Sequence, residues 1–148
     1  MNYKELNAEL KSLVEEVGHP IANLANASAL LFERLDRLNW AGFYLMEDGQ
    51  LVLGPFQGKV ACIEIKVGRG VCGTAVLEDK VQRVMDVHTF KGHIACDGAS
   101  NSEIVIPLHK NGEIYGVLDI DSPVLGRFDE EDEAGLTEFA KIIEDYAI

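Results

Sequence analysis

Apolar residues recur at helical spacing from Tyr3 to about Val17 and again from Ile21 to about Leu38, and Gly18-His19-Pro20 separates the two runs, so the chain is expected to open with two helices. Beyond them the period shortens. Asn39 to Met46 and Leu51 to Gln57 read as strands joined through Glu47-Asp48-Gly49-Gln50, whose Asp-Gly pair is a hairpin signal and makes the two antiparallel. Ala61 to Val67 reads as a third strand, Gly70 to Leu77 as a short helix and Val81 to Met85 as a fourth strand. From Asp86 to about Ser102 no period is discernible, and a structureless stretch of that length inside a compact domain is usually a lid or a binding loop. It carries His88, His93 and Cys96. Ile104 to His109 and Glu113 to Ile120 then flank Lys110-Asn111-Gly112, a second hairpin signal, and Glu130 to Tyr146 closes the sequence as an amphipathic helix. Helices first, hairpins in the middle and a helix last describe an α+β fold, an antiparallel sheet covered by helices.

At 148 residues the chain has the size of one domain, and no repeat, linker or low-complexity tract divides it, so residues 1–148 are taken as a single unit. Hydrophobic residues make up 47% of it, but no apolar run approaches the roughly 20 residues that a bilayer span requires. Met1 to Glu5 has neither a basic nor an apolar leader segment, which points to the cytoplasm. In that reducing compartment three cysteines, an odd number, are read as free thiols and not as a disulfide framework. Thirteen basic against 25 acidic residues give a net charge of −12, which repels phosphate backbones and anionic lipid surfaces and argues against nucleic acid or a membrane as partner. The acids of 129–133 and 138–145 read as a solvated helix face.

Cys62, Cys72 and Cys96 are the first candidates for chemistry, because a thiolate is the strongest nucleophile a side chain offers near neutral pH; the plain alternative is three small buried hydrophobes. Cys72 falls in the first turn after Gly68-Arg69-Gly70, where a helix N-terminus and Arg69 are expected to lower a thiol pKa, and on that argument it ranks ahead of Cys96, which follows His93 by three residues in the irregular loop. The glycines of Gly68-Arg69-Gly70-Val71-Cys72-Gly73 also match a dinucleotide-binding pattern, but about eight residues separate Gly73 from the next strand, too few for a parallel crossover, and Asp86 comes too early to bind a ribose. His88, His93 and Cys96 have loose zinc-ligand spacing without a paired Cys-x-x-Cys, so no metal is assigned.

Asp119 and Asp121 alternate with Leu118 and Ile120, which points both carboxylates to one face of a strand. Like charges so placed raise each other's pKa and favour a shared proton or a bound cation such as a substrate ammonium, unless the strand end simply reaches solvent at Ser122-Pro123. By the same alternation Trp40, Gly42 and Tyr44 share a face, and Gly42 is expected to leave room between two aromatic rings for a small apolar group.

Taken together, Asn39-Trp40-Ala41-Gly42-Phe43-Tyr44, Leu53-Gly54-Pro55-Phe56-Gln57-Gly58, Gly68-Arg69-Gly70-Val71-Cys72-Gly73-Thr74-Ala75, Gly92-His93-Ile94-Ala95-Cys96-Asp97, Ser100-Asn101-Ser102-Glu103-Ile104-Val105 and Gly116-Val117-Leu118-Asp119-Ile120-Asp121-Ser122 closely resemble the free methionine-(R)-sulfoxide reductases, which are stand-alone GAF domains. The resemblance runs from about residue 20 to the C-terminus. It implies a GAF-like antiparallel sheet flanked by helices in three layers, with Cys96 as nucleophile in place of Cys72, Cys62 as the preferred resolving thiol and Cys72 as a second partner. It also implies Glu103, Asp119 and Asp121 as a polar wall, Glu103 as proton donor, and Trp40 with Tyr44 as a hydrophobic wall. The partners it implies are free methionine sulfoxide and an external dithiol reductant of the thioredoxin type, with no bound cofactor, and it is compatible with a homodimer. Two other classes fit parts of the pattern: a non-catalytic GAF sensor for a small ligand, and a zinc hydrolase built on the loop histidines.

Overall fold

The computed structural model describes residues 1–93 and 98–148; residues 94–97, and with them Cys96, lie outside the described residues. Helix α1 spans Tyr3–Val14, capped by the Asn2 side chain, which accepts from the Glu5 amide at 3.1 Å, and it buries Leu6, Leu10 and Val14 one turn apart. Helix α2 starts at Pro20, where proline's fixed φ suits the first helical position, and runs to Arg34. The apolar period that extends it to Leu38 in the sequence has another origin: Leu35 leaves the helix in extended conformation while staying 4% exposed in the core, and Arg37 then turns at φ 57°.

Strands β1 (Trp40–Glu47) and β2 (Gln50–Gly58) form the expected hairpin, with Asp48 and Gly49 both at positive φ and Glu47 paired to Gln50. This is the tight turn whose twist matches the strands it joins. Strands β5 (Ser102–Lys110) and β6 (Glu113–Ser122) repeat the device with Asn111 and Gly112. Between the hairpins lie β3 (Glu64–Lys66), helix α3 (Gly70–Glu78), β4 (Gln82–Val84) and a 3-10 turn at Val87–Thr89 capped by Asp86. The third strand is shorter than the expected Ala61 to Val67. Ahead of β3 the carbonyls of Lys59 and Cys62 serve side chains, accepting hydrogen bonds from Trp40 Nε1 and Tyr44 Oη, while the Ile63 carbonyl still accepts from the Leu53 amide of β2. The last helix, α4 (Glu130–Ile142), starts on a reciprocal Asp129/Asp132 capping box and ends in a π turn, Ile143–Ala147.

All strand pairs are antiparallel, in the order β3-β2-β1-β6-β5-β4, so the two hairpins meet through β1 and β6. One face of this sheet packs against α1, α2 and α4, and Ala41, Phe43, Ile104, Ile106, Leu118 and Ile120 fill that interface at 3% exposure or less. The opposite face carries α3 and the segments around it. The fold is therefore α+β in three layers. No helix of the described residues is long and apolar enough to cross a membrane.

Candidate functional site

Period-2 alternation sends every second residue of the three central strands to the α3 face, and register decides which of them meet. Asp121 of β6 lies opposite Trp40 of β1 on one side and Glu103 of β5 on the other, while Asp119 lies opposite Gly42 and Val105. Three carboxyl groups on two adjacent strands thus converge beside an aromatic wall. Over them stands the first turn of α3, and Arg69, Gly70, Val71 and Cys72 line the same pocket. Glu103 is 7% and Asp119 5% exposed, and Oδ1 of both Asp119 and Asp121 is closed from solvent without a hydrogen-bond partner among the described residues. Ser100 Oγ donates to Asp121 Oδ2 at 3.2 Å and itself accepts from Asn39 Nδ2 at 2.9 Å.

Burial, followed by the charges of Asp119 and Asp121, pushes the Glu103 carboxyl well above the usual carboxylate range. Asp121 is raised in the same way by burial and by Asp119. Asp119 also rises through burial, against hydrogen bonds to Glu103, Cys72 and Asp121 that favour its ionised form. Among the described lining residues Arg69 is the only lysine or arginine, and it is exposed. With no buried lysine or arginine among those described lining residues to balance them, such a cluster holds its protons more tightly than free carboxylates do and attracts a cation into the pocket.

The aromatic wall corrects one expectation. A Cβ on Gly42 would stand 2.3 Å from the Phe56 Cβ, so the room at this glycine is taken by the bulged β2 strand. The rings of Trp40 and Tyr44 lean together, stacked with centroids 5.8 Å apart, and Phe56 stacks on Trp40 at 5.1 Å. A small apolar group can rest on this stack but has no slot between the rings. Trp40 and Tyr44 are each 2% exposed. Tyr44 is also held by its bond to the Cys62 carbonyl at 2.8 Å, and burial with the nearby acids raises its phenol pKa.

Cys72 corrects a second. Its thiol is a free, buried group whose pKa is pushed well above the ordinary value by desolvation and then by Asp119, Glu103 and Asp121. The helix N-terminus and Arg69 were expected to do the opposite, but three buried carboxyls at close range outweigh half a charge of helix dipole. Cys62 is disulfide-bonded and half-buried, and Cys96 lies outside the described residues.

Of the loop histidines, His93 lines the pocket, with burial and then His88 lowering its pKa. His88 is exposed and its Nδ1 sits 2.9 Å from Asp86 Oδ1. The described residues whose donor atoms converge as metal ligands are instead Cys72, Glu103 and Asp119. Sequence reasoning did not assign Arg69, Ser100 or Ile65 to the pocket. From the sequence Arg69 is legible only as a neighbour of Cys72, and Ser100 only as the first residue of a motif.

Comparison with known proteins places this geometry in a family. The GAF domain model matches residues 13–145. A protein named free methionine-R-sulfoxide reductase from Escherichia coli is 61% identical over 142 residues, covering 96% of this chain and 86% of its own length. Among solved structures, fRMsr of Staphylococcus aureus in complex with substrate superposes with a TM-score of 0.93 at 55% identity, over 97% of this chain and 94% of that one. The free methionine-R-sulfoxide reductase of Neisseria meningitidis in complex with its substrate gives 0.94 at 46% identity, over 97% and 86%.

Proposed function

The chain belongs to the GAF-domain family of free methionine-R-sulfoxide reductases, and from that premise we propose that it reduces free L-methionine-(R)-sulfoxide to L-methionine with Cys96 as the attacking thiolate. The observation that carries this reading is the buried set of Glu103, Asp119 and Asp121 facing an aromatic wall, with two carboxylate oxygens unpartnered among the described residues. A free amino acid supplies what those oxygens lack. Its ammonium pairs with Asp119 and Asp121, its S-methyl group rests on the Trp40 and Tyr44 rings, and its carboxylate takes the first-turn amides of α3 with Arg69 at the rim. Glu103, kept protonated by its neighbours, is the acid for the sulfoxide oxygen.

Cys96 sulfur attacks the sulfoxide sulfur while the oxygen gains the Glu103 proton; the oxygen passes to Cys96, methionine leaves, and the cysteine is oxidised to a sulfenic acid. Glu103 regains a proton from solvent, into which the Cys96 thiol released its own on becoming the thiolate. Cys62 thiol then condenses with the sulfenic acid, forming a disulfide and water, and an external dithiol of the thioredoxin type reduces that disulfide. Cys62 being disulfide-bonded while Cys72 remains a free buried thiol supports Cys62 as the resolving partner, with Cys72 in reserve. The reading places the protein as one domain, residues 1–148, in a reducing cytoplasm, working without a bound cofactor.

The test is turnover of the separate free R and S epimers and of N-acetylated sulfoxide, with dithiol present. Consumption of the free R epimer alone, lost in Cys96→Ser, is the expected result. Turnover of the acetylated compound at the same rate would remove the role given to the ammonium, and an active Cys96→Ser protein would remove the nucleophile.

A further inference from the structure

We propose that Cys72, Glu103 and Asp119 form a binding site for one soft divalent cation of the zinc type, and that this cation shuts the pocket by taking the place of the substrate's ammonium. The donor atoms of these three residues, one sulfur and two carboxylate oxygens, all lie within 4.8 Å of one another, and all three residues are buried. Tetrahedral zinc holds sulfur and oxygen ligands whose mutual separations are roughly 3–4 Å, so modest side-chain adjustment closes the site. The three come from α3, β5 and β6, elements locked to each other by packing and by the sheet ladder, so the cage exists before a ligand arrives. Independently of the trio's spacing, Asp119 Oδ1 is buried with no hydrogen-bond partner among the described residues, and Asp121 Oδ1 is in the same condition. Both call for a positive charge.

The donor chemistry selects the ion. A thiolate beside carboxylates disfavours magnesium and calcium and suits zinc, cobalt or cadmium. Three protein ligands leave the fourth position open to water. Binding involves no redox change: the Cys72 S–H proton and any proton held by the two carboxyls pass to solvent, and each donor gives an electron pair to the metal. The electrostatics of the thiol then reverse, because the cation stabilises the thiolate that the acids oppose. The competition with ammonium rests on the proposed reductase reading, whereas the metal site itself does not.

The experiment uses the fully reduced, metal-free protein titrated with cobalt. One equivalent is expected to bind with a thiolate-to-cobalt charge-transfer band that persists in Cys96→Ser and Cys62→Ser and disappears in Cys72→Ser, or in Cys72→Ala if the serine variant does not fold. Asp119→Asn is expected to weaken cobalt binding at least tenfold. Zinc at about ten times its dissociation constant is expected to raise KM for free methionine sulfoxide roughly tenfold at constant kcat, as competitive mass action requires. A missing band, or a band that follows Cys96 and survives loss of Cys72, would overturn the site. Zinc lowering kcat without moving KM would overturn the competition. Methionine formation by the metal-free protein tests the reductase reading separately.

Discussion

The two faces of the central sheet are built from alternate residues of the same strands, yet they obey opposite rules. Toward α1, α2 and α4 the strands present Phe43, Ile104, Leu118 and Ile120, each fully buried among apolar neighbours. One residue along, toward α3, they present Trp40, Glu103, Asp119 and Asp121. The first face stabilises the fold at about 25 cal/mol for each Å² of apolar surface removed from water. The second buries like charges that destabilise it, and only a bound cation or retained protons relieve them. The difference separates what holds this protein together from what it is for.

Substitutions on the two faces should therefore fail in different ways. Glu103→Gln is expected to lower kcat by about 10²- to 10⁴-fold, the usual worth of a general acid, while the folded protein stays intact by circular dichroism. Phe43→Ala, on the other face of the same sheet, is expected to cost about 3–5 kcal/mol of stability in denaturant titration, with near-normal activity per folded molecule at low temperature. Should Phe43→Ala instead lose specific activity while remaining stable, the division between the faces would not hold.

A smaller effect of opposite sign is expected at Asp121. Removing its charge relieves the repulsion, so Asp121→Asn should gain about 0.5–2 kcal/mol in stability while KM for the sulfoxide rises. The pH dependence follows from the same shift. Because the folded carboxyls hold their protons more tightly than unfolded ones, the folded state binds more protons and stability falls as pH rises from about 4 toward the raised folded pKa values. Asp121→Asn should flatten that decline; an unchanged slope in urea melts across this range would contradict it.

The smallest effect belongs to His109, near the end of β5 and part of neither the apolar interface nor the acid cluster. Burial favours its neutral ring, but bonds to Asp79 at 2.6 Å and Glu144 at 2.9 Å prevail and raise its pKa. Its contribution is complete below the unfolded value near 6.5 and fades as pH rises through the raised folded value. The ring is partly exposed and screened by solvent, so His109→Asn should cost only about 0.5 kcal/mol at pH 6 and less at pH 9, read from thermal melts.

Much of this contrast was legible in the sequence because it is local. Asp-Gly and Asn-Gly turns fix both hairpins, and period 2 assigns Asp119 and Asp121 to one face before any contact is known. What the chain could not reveal locally depends on β1 meeting β6. That long-range pairing brings Trp40 against Asp121, while the packing of α3 on β5 and β6 sets Asp119 near Cys72 and turns an expected low thiol pKa into a high one. The β2 bulge that fills the space at Gly42 is equally invisible until Phe56 is paired. The end of α2 is hidden in the apolar period because Leu35 remains buried after the helix has stopped.

The most direct test of the buried acid set is a carboxyl-carbon NMR titration of Glu103, Asp119 and Asp121 in the reduced, ligand-free protein. Retention of at least one proton within the cluster at pH 7, still held by Glu103 when methionine sulfoxide sets its ammonium against Asp119 and Asp121, is the predicted result. Three independent titrations complete by about pH 5, as in exposed carboxylates, would contradict the account at its base.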